Sequence, residues 1–505
     1  MKKIVLSLLS ACLLGLGTGC EKDLDRTPLS NASVPDFYKT PVDFDQALNA
    51  TYSQLRGYPD RILTMSEIRS DNIYGVSSQG VRDWDAINNF NTTLAVSPYT
   101  ADVWAQDYSA IFRANTLLDQ LAQNGGVLPA ATRKRYEAEA RFLRAFHYFD
   151  LVRMFGRVPV IDHALTPEQV ALVKRSPVAD VYTLILGDLR MAKDNLPVVY
   201  TGANVGRATA GAAKGLLALV HLTRSGPTYG IEGPGLGVNE YDLAYALCNE
   251  VIASAAAAKY SFVTNYASIF STTNENNGEV VFDVQYITGN GGSYPGWLVP
   301  DGYFTAVGIG FASGGVEIKP VSTDLINSYA ANDTRKTFSI ANGYTTGSGS
   351  SLFTETRPLI KKYIDVANKP TSRTDWALNF IVMRYTDILL MKAEAILKGG
   401  GGTTADALTI VNQVRNRGGQ PPVTTITYPQ LMEERRREFV GEGLRWHDLV
   451  RSGLVLDVMK AWIPVEDNNA SPKMRRNINA NDIIYALPQA ELSAAPGVYD
   501  QNPGY

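Results

Sequence analysis

Glu433-Glu434-Arg435-Arg436-Arg437-Glu438 runs directly into Phe439-Val440-Gly441-Glu442-Gly443-Leu444-Arg445-Trp446-His447-Asp448-Leu449-Val450-Arg451-Ser452-Gly453. The second part reads as a helix end, a tight glycine turn and a second helix. The first part alternates blocks of opposite sign at helical spacing, so i to i+4 ion pairs can form along an exposed face. A nucleic-acid patch would not be neutralised in this way. With 47 basic and 50 acidic residues and a formal net charge of -3, the chain has no sustained positive field for phosphates.

Working outward, apolar residues recur at helical spacing in two groups. The first spans Val103 to Gln123, Ala131 to Phe155, Pro177 to Leu196, Thr209 to Arg224 and Tyr241 to Ala258. Within it Phe142, Phe146, Phe149 and Val152 mark one helix face, and Gly156 and Pro159 end that helix. The second group spans Met383 to Leu397, Ala405 to Arg417, Tyr428 to Glu442 and Trp446 to Trp462, with the Gly399 to Gly402 run as a flexible turn. Between them, Ser261 to Lys369 is rich in Gly, Asn, Ser, Thr and aromatics, with short β-like runs such as Val280 to Val284. The expected fold is mainly α: degenerate tetratricopeptide-like helical hairpins, with a loop-rich, partly β middle segment inserted or packed against them. The strict repeat signature is absent. At 505 residues, 45% hydrophobic and 19% charged, the chain can bury a large core.

The N-terminus carries Lys2 and Lys3, an apolar stretch from Ile4 to Leu16, then Gly17-Thr18-Gly19-Cys20. This is the order of an export signal, and the stretch is shorter than the ~20 apolar residues that a membrane-spanning helix needs. Small residues just before a cysteine resemble a bacterial lipobox, in which Cys20 is acylated and becomes the first mature residue; Cys12 is a competing site with a shorter apolar run. Several acyl chains, at roughly 0.8 kcal/mol per buried methylene, anchor a soluble body durably. Glu21-Lys22-Asp23-Leu24-Asp25 then reads as a solvated tether, and its acidity resembles a signal for the outer cell face. Cys248 would remain alone, packed in an apolar helix, with no intramolecular disulfide possible.

Motifs for chemistry are missing. There is no HExxH, paired CxxC, GxSxG or GxxxxGK[ST]. His147, His163, His221 and His447 stand far apart without metal-ligand spacing, and Gly233 to Gly237 lacks the strand and helix of a dinucleotide loop. No cofactor, metal or catalytic residue is therefore expected. Carboxylates near aromatics, Asp71, Asp83, Asp85 and Asp301, would be the first candidates for a glycosidase pair.

The segment Glu434 to Gly453 resembles the SusD/RagB signature "RRxEFxGEGxRWxDLxR" at almost every fixed position. Arg384-Tyr385-Thr386-Asp387-Ile388-Leu389-Leu390-Met391-Lys392-Ala393-Glu394-Ala395 resembles the same family's "RYADILLMxAEA" helix. Further matches are Phe142 to Val152 with Phe155-Gly156 and Pro159, and the closing Gln501-Asn502-Pro503-Gly504-Tyr505. Most of these residues look architectural, with arginines and acids pairing across adjoining helices. The resemblance covers essentially the whole mature chain and implies three regions: a signal peptide at 1–19, a helical region at 20–260, and a C-terminal region at 261–505 that includes the ligand-facing loops.

Family members are non-enzymatic lipoproteins that capture glycans, or in some branches peptides, and cap a SusC-like TonB-dependent transporter at the outer membrane. A sugar needs a flat aromatic platform flanked by hydrogen-bonding groups. The resemblance places ligand residues in two stretches, about 71–104 and 285–312. They contain Tyr74, Arg82, Trp84, Asn88 and Asn89, then Tyr294, Trp297, Tyr303 and Phe304. Aromatics in Gly/Asn-rich loops are expected to stay more open than those on a helix face. The alternatives are a peptide-capturing member, a surface glycoside hydrolase, and a scaffold that binds only proteins.

Overall fold

Threonine caps set where several helices begin. Thr209 accepts a hydrogen bond from Ala212 N, and Thr403 and Thr427 form reciprocal capping boxes with Asp406 and Gln430. The computed structural model describes residues 37–76, 80, 82–311, 317–469 and 477–505; the export signal, Cys12, Cys20 and the acidic tether lie outside them. Helices α1 (Pro41–Tyr52), α2 (Pro98–Asn124), α3 (Ala130–Phe155), α4 (Val178–Asn195), α5 (Ala210–Arg224) and α6 (Tyr241–Ala253) precede the loop-rich middle. Helices α7 (Tyr385–Leu397), α8 (Thr404–Arg417), α9 (Tyr428–Glu438), α10 (Arg445–Ser452) and α11 (Val455–Asn469) follow it.

Each helix from α2 to α8 packs on its successor, so the array is continuous in space although residues 254–384 interrupt it in sequence. α6 lies directly against α7. The middle is thus an insertion between two neighbouring helices, and its ends are drawn together by a strand pair. Among the described residues the sheets are all two-stranded and antiparallel: β1 (Val158–Pro159) with β2 (Arg175–Ser176), β3 (Val280–Val284) with β8 (Phe380–Arg384), β4 (Ile340–Ala341) with β7 (Leu359–Ile360), and β5 (Tyr344–Thr346) with β6 (Phe353–Glu355). The β3–β8 pair, with Asp283 opposite Ile381 and Val284 opposite Phe380, closes the base of the insertion.

The helical pattern undercounts burial in α3. Phe142, Phe146, Phe149 and Val152 are buried as expected, but so is every other residue from Phe142 to Phe155, because α2 and α4 cover both flanks. Cys248 is fully buried in α6, and burial pushes its thiol far above the usual range.

Three expectations are corrected. Met383 lies in β8, not in the following helix, since its backbone pairs with Phe282. The helix expected over Tyr428 to Glu442 stops at Glu438. The stretch Trp446 to Trp462 is two helices, broken at Gly453, whose φ of +84° lies in the left-handed region that glycine enters freely.

A further correction concerns the run Glu433 to Glu438. Glu434, Arg435, Arg436 and Glu438 are buried, not a solvated face. Arg435 donates to Asp387 of α7 at 2.7 Å and to Asp448 of α10 at 2.9 Å. Glu438 accepts from Arg384 at 3.0 Å and Arg417 at 2.6 Å, and Arg335 reaches it at 3.1 Å. The charges alternate along α9 because neighbours on several sides need partners, which is the pairing across elements that the family resemblance implies. Local i to i+3 contacts, Arg436–Glu433 and Arg437–Glu434, are secondary.

Candidate functional site

The two stretches expected to meet a ligand touch at Tyr99 and Trp297, and a third segment, just past the second stretch, bridges them. Residues 72–76 run antiparallel to 318–322: Val76 N donates to Ile318 O at 2.9 Å, Ile318 N returns to Val76 O at 3.2 Å, and Tyr74 N donates to Pro320 O at 3.2 Å. This ladder satisfies backbone groups that would otherwise be buried without partners. It also delivers Glu317 and Lys319 to the aromatics of both stretches.

On the first side, the short helix Asp85–Asn88 is held by its own start: Arg82 N donates to Asp85 Oδ2 at 2.7 Å. Asn88 Oδ1 accepts from Gly75 N at 2.9 Å, tying this helix to the ladder. Trp84 lies over Gly75, where any side chain would overlap its ring, and its Nε1 donates to Glu317 Oε2 at 2.9 Å. Arg82 pairs with the other oxygen of Glu317 at 3.3 Å.

On the second side, Arg373 organises two short helices, Tyr294–Leu298 and Asp301–Ala306. Its guanidinium donates to the carbonyls of Gly296 and Val299 and pairs with Asp301. Trp297 projects from the first of these helices. Lys319 Nζ sits 4.2 Å from the centre of its ring and donates to its carbonyl at 2.9 Å. The Tyr99 hydroxyl adjoins Trp297; burial raises its pKa, and the charges of Glu317, Asp83 and Asp60 add to that.

The expected residues therefore divide. Trp297 and Arg82 keep part of their surface open, whereas Tyr74, Trp84, Asn88, Tyr294, Tyr303 and Phe304 are buried. The expectation that Gly/Asn-rich loops leave aromatics open is corrected, because these loops pack on one another. Tyr294 is fully enclosed, donating to Leu378 O at 2.9 Å among the rings of Tyr286, Tyr363 and Phe380. Tyr303 lies apart from Trp297 in lining, lending one edge to a cavity of about 480 Å³ with Phe338, Lys361 and Asp365.

Tyr99, Glu317 and Lys319 were not singled out in the sequence. Tyr99 stands within the first stretch as the second residue of α2, and Glu317 and Lys319 follow the second stretch. The alternation Glu317-Ile318-Lys319 was the available signal, since period-two patterning marks a half-buried extended segment.

Of the carboxylates considered for hydrolysis, Asp71 is committed elsewhere. Burial opposes its ionisation, but Arg436 and Arg445 outweigh that and hold the carboxyl far below the usual range; both its oxygens accept from Arg445, at 2.7 and 2.8 Å. Asp301 is paired with Arg373. Among the described residues no group of three or more His, Cys, Asp or Glu is placed to hold a metal ion. No described helix is long and apolar enough to cross a membrane.

The architecture is a continuous helical array with an aromatic, loop-rich segment inserted between two neighbouring helices. The chain belongs to the SusD/RagB family: the SusD family profile matches residues 257–505, and a second profile, described as starch-binding associating with outer membrane, matches residues 24–222. SusD-like protein P38 of Formosa agariphila is 29% identical over 507 aligned positions, covering 91% of this chain and 93% of its own length. Among solved structures, surface glycan-binding protein A from Bacteroides fluxus has a TM-score of 0.77 at 25% identity, covering 92% of this chain and 100% of that one. A laminarin-binding SusD-like protein has a TM-score of 0.75 at 26% identity, covering 93% and 100%.

Proposed function

We propose that this chain is a non-enzymatic glycan-capture lipoprotein of the cell surface, anchored through acylated Cys20, that holds an oligosaccharide and caps a SusC-like TonB-dependent transporter. One observation carries the ligand site: Trp297 is part-exposed, whereas the other tryptophans are at most 5% exposed. A pyranose presents an apolar face that stacks on such a ring, while its hydroxyls need donors and acceptors at the edge. The Tyr99 hydroxyl beside it, and Glu317 and Arg82 linked to it through Lys319, are the edge groups. Tyr74, Trp84 and Asn88 act from behind, holding Arg82 and Glu317 in place. Tyr294 anchors the short helix that carries Trp297, and Tyr303 serves the neighbouring cavity. The named ligands of the similar proteins, laminarin among them, support a neutral glucan as the first ligand to try.

Isothermal titration of the mature soluble body against laminarin, soluble starch and a peptide pool tests this reading. Binding of a glucan that Trp297→Ala abolishes, with no new reducing ends after prolonged incubation, is the expected result. Binding of peptides alone, or glucan binding that Trp297→Ala leaves intact, overturns it.

A further inference from the structure

Lys319 is 6% exposed, and its ammonium is placed with little freedom. Nζ hovers 4.2 Å from the Trp297 ring centre, donates to the carbonyl of that same residue at 2.9 Å, and stands 4.0 Å from Glu317 Oε2. Backbone pairing of its neighbour Ile318 with Val76 fixes where the lysine stem starts. A buried cation is costly unless it is compensated, and the ring face, the carbonyl and Glu317 together supply that compensation.

The arrangement has two consequences for Trp297. Its ring torsion is restricted, because turning the indole would take the ring face away from an ammonium that the carbonyl and Glu317 hold in place. One ring face is also already occupied, so a sugar can stack only on the other. The same Glu317 that faces Lys319 accepts from Trp84 and pairs with Arg82, which links ring orientation to the polar edge of the site. We infer that Lys319 is a positioning residue for glycan capture, which locks Trp297 as a one-faced platform in register with Arg82 and Glu317. This inference rests on the proposed role of Trp297 as the stacking ring.

The test uses the mature soluble body and whichever of laminarin or soluble starch it binds, with titration calorimetry and acrylamide quenching of tryptophan fluorescence. Because the other tryptophans are 5% exposed or less, quenching reports chiefly on Trp297. Lys319→Met is expected to weaken binding by about 5- to 20-fold, the size of one desolvated cation–π contact, and to make the free protein more quenchable. Lys319→Arg, which keeps a cation over the ring, is expected to restore both. Lys319→Gln keeps a donor for the Trp297 carbonyl without the charge; it is expected to follow Lys319→Met and serves in its place if that variant does not fold. Wild-type affinity in Lys319→Gln, with binding lost in Trp297→Ala, overturns the positioning role and leaves the platform standing. Wild-type affinity in Trp297→Ala, or no binding of either glucan by the unaltered protein, overturns the platform and the inference with it.

Discussion

Arg384 and Glu438 stand 54 positions apart in the chain and meet at 3.0 Å, with both side chains sealed from solvent. Arg384 closes the strand pair at the base of the insertion, and Glu438 ends α9, so the contact joins the loop-rich middle to the C-terminal helices. Glu438 is shared with Arg417 and Arg335. Burial works against its ionisation, but those cations outweigh it and hold the carboxyl well below the usual range.

Glu438→Gln should therefore be among the most damaging single substitutions in the chain. Removing one member of a buried charge cluster leaves the others uncompensated, at a cost of about 3–5 kcal/mol. Urea denaturation followed by far-ultraviolet circular dichroism measures it. A loss below about 1 kcal/mol would mean that the arginines find water in the folded state.

Asp283 gives a pH dependence of definite sign. Burial pushes its carboxyl up to about 7, with Glu275 adding to the shift and a hydrogen bond from Gln285 opposing it. In the unfolded chain an aspartate loses its proton near pH ~4. Between these values the folded state binds more protons, so this group lowers stability as pH rises through the window, and the loss is complete above about pH 7. Asp283→Asn should remove the slope, gaining on the order of 4 kcal/mol relative to the wild type between acid and alkaline ends. Equal slopes in the two proteins would refute the assignment.

Gly75→Ala is expected to disturb the ligand loops without unfolding the array. A methyl group there would overlap the Trp84 ring, which would have to leave its place beside Glu317. Overpacking of this kind costs about 1–3 kcal/mol. The near-ultraviolet circular dichroism spectrum should change and glucan affinity should fall, while helical content stays constant.

Cys20→Ala should release the protein from membranes. Fractionation of cells expressing the full chain is expected to move it from the outer-membrane pellet to the soluble periplasmic fraction, and mass spectrometry of the wild-type N-terminal peptide should find an acylated cysteine. Retention of the variant in the membrane would point to anchoring by protein contacts alone.

The helices were legible because apolar spacing is a local signal; the caps at Thr209, Thr403 and Thr427, equally local, mark three of their starts in the structure. The buried role of Glu434 to Glu438 was not local, since the same charge alternation would suit a solvated face, and only the positions of Asp387, Asp448 and Arg417 decide between them. The candidate site was half legible. The two stretches were anticipated from family resemblance, and they meet, but which aromatics remain open depends on loop-to-loop packing. Trp84 and Trp297 look alike in sequence. Gly75 admits one indole into the interior, whereas Arg373 fixes the other's helix at the surface.

The direct stacking of α6 on α7 has a consequence for descent as well as for stability. Residues 254–384 leave and re-enter the scaffold at adjoining points, pinned there by β3 and β8. Loops at the far end of such an insertion can lengthen or shorten while the helices beneath keep their register.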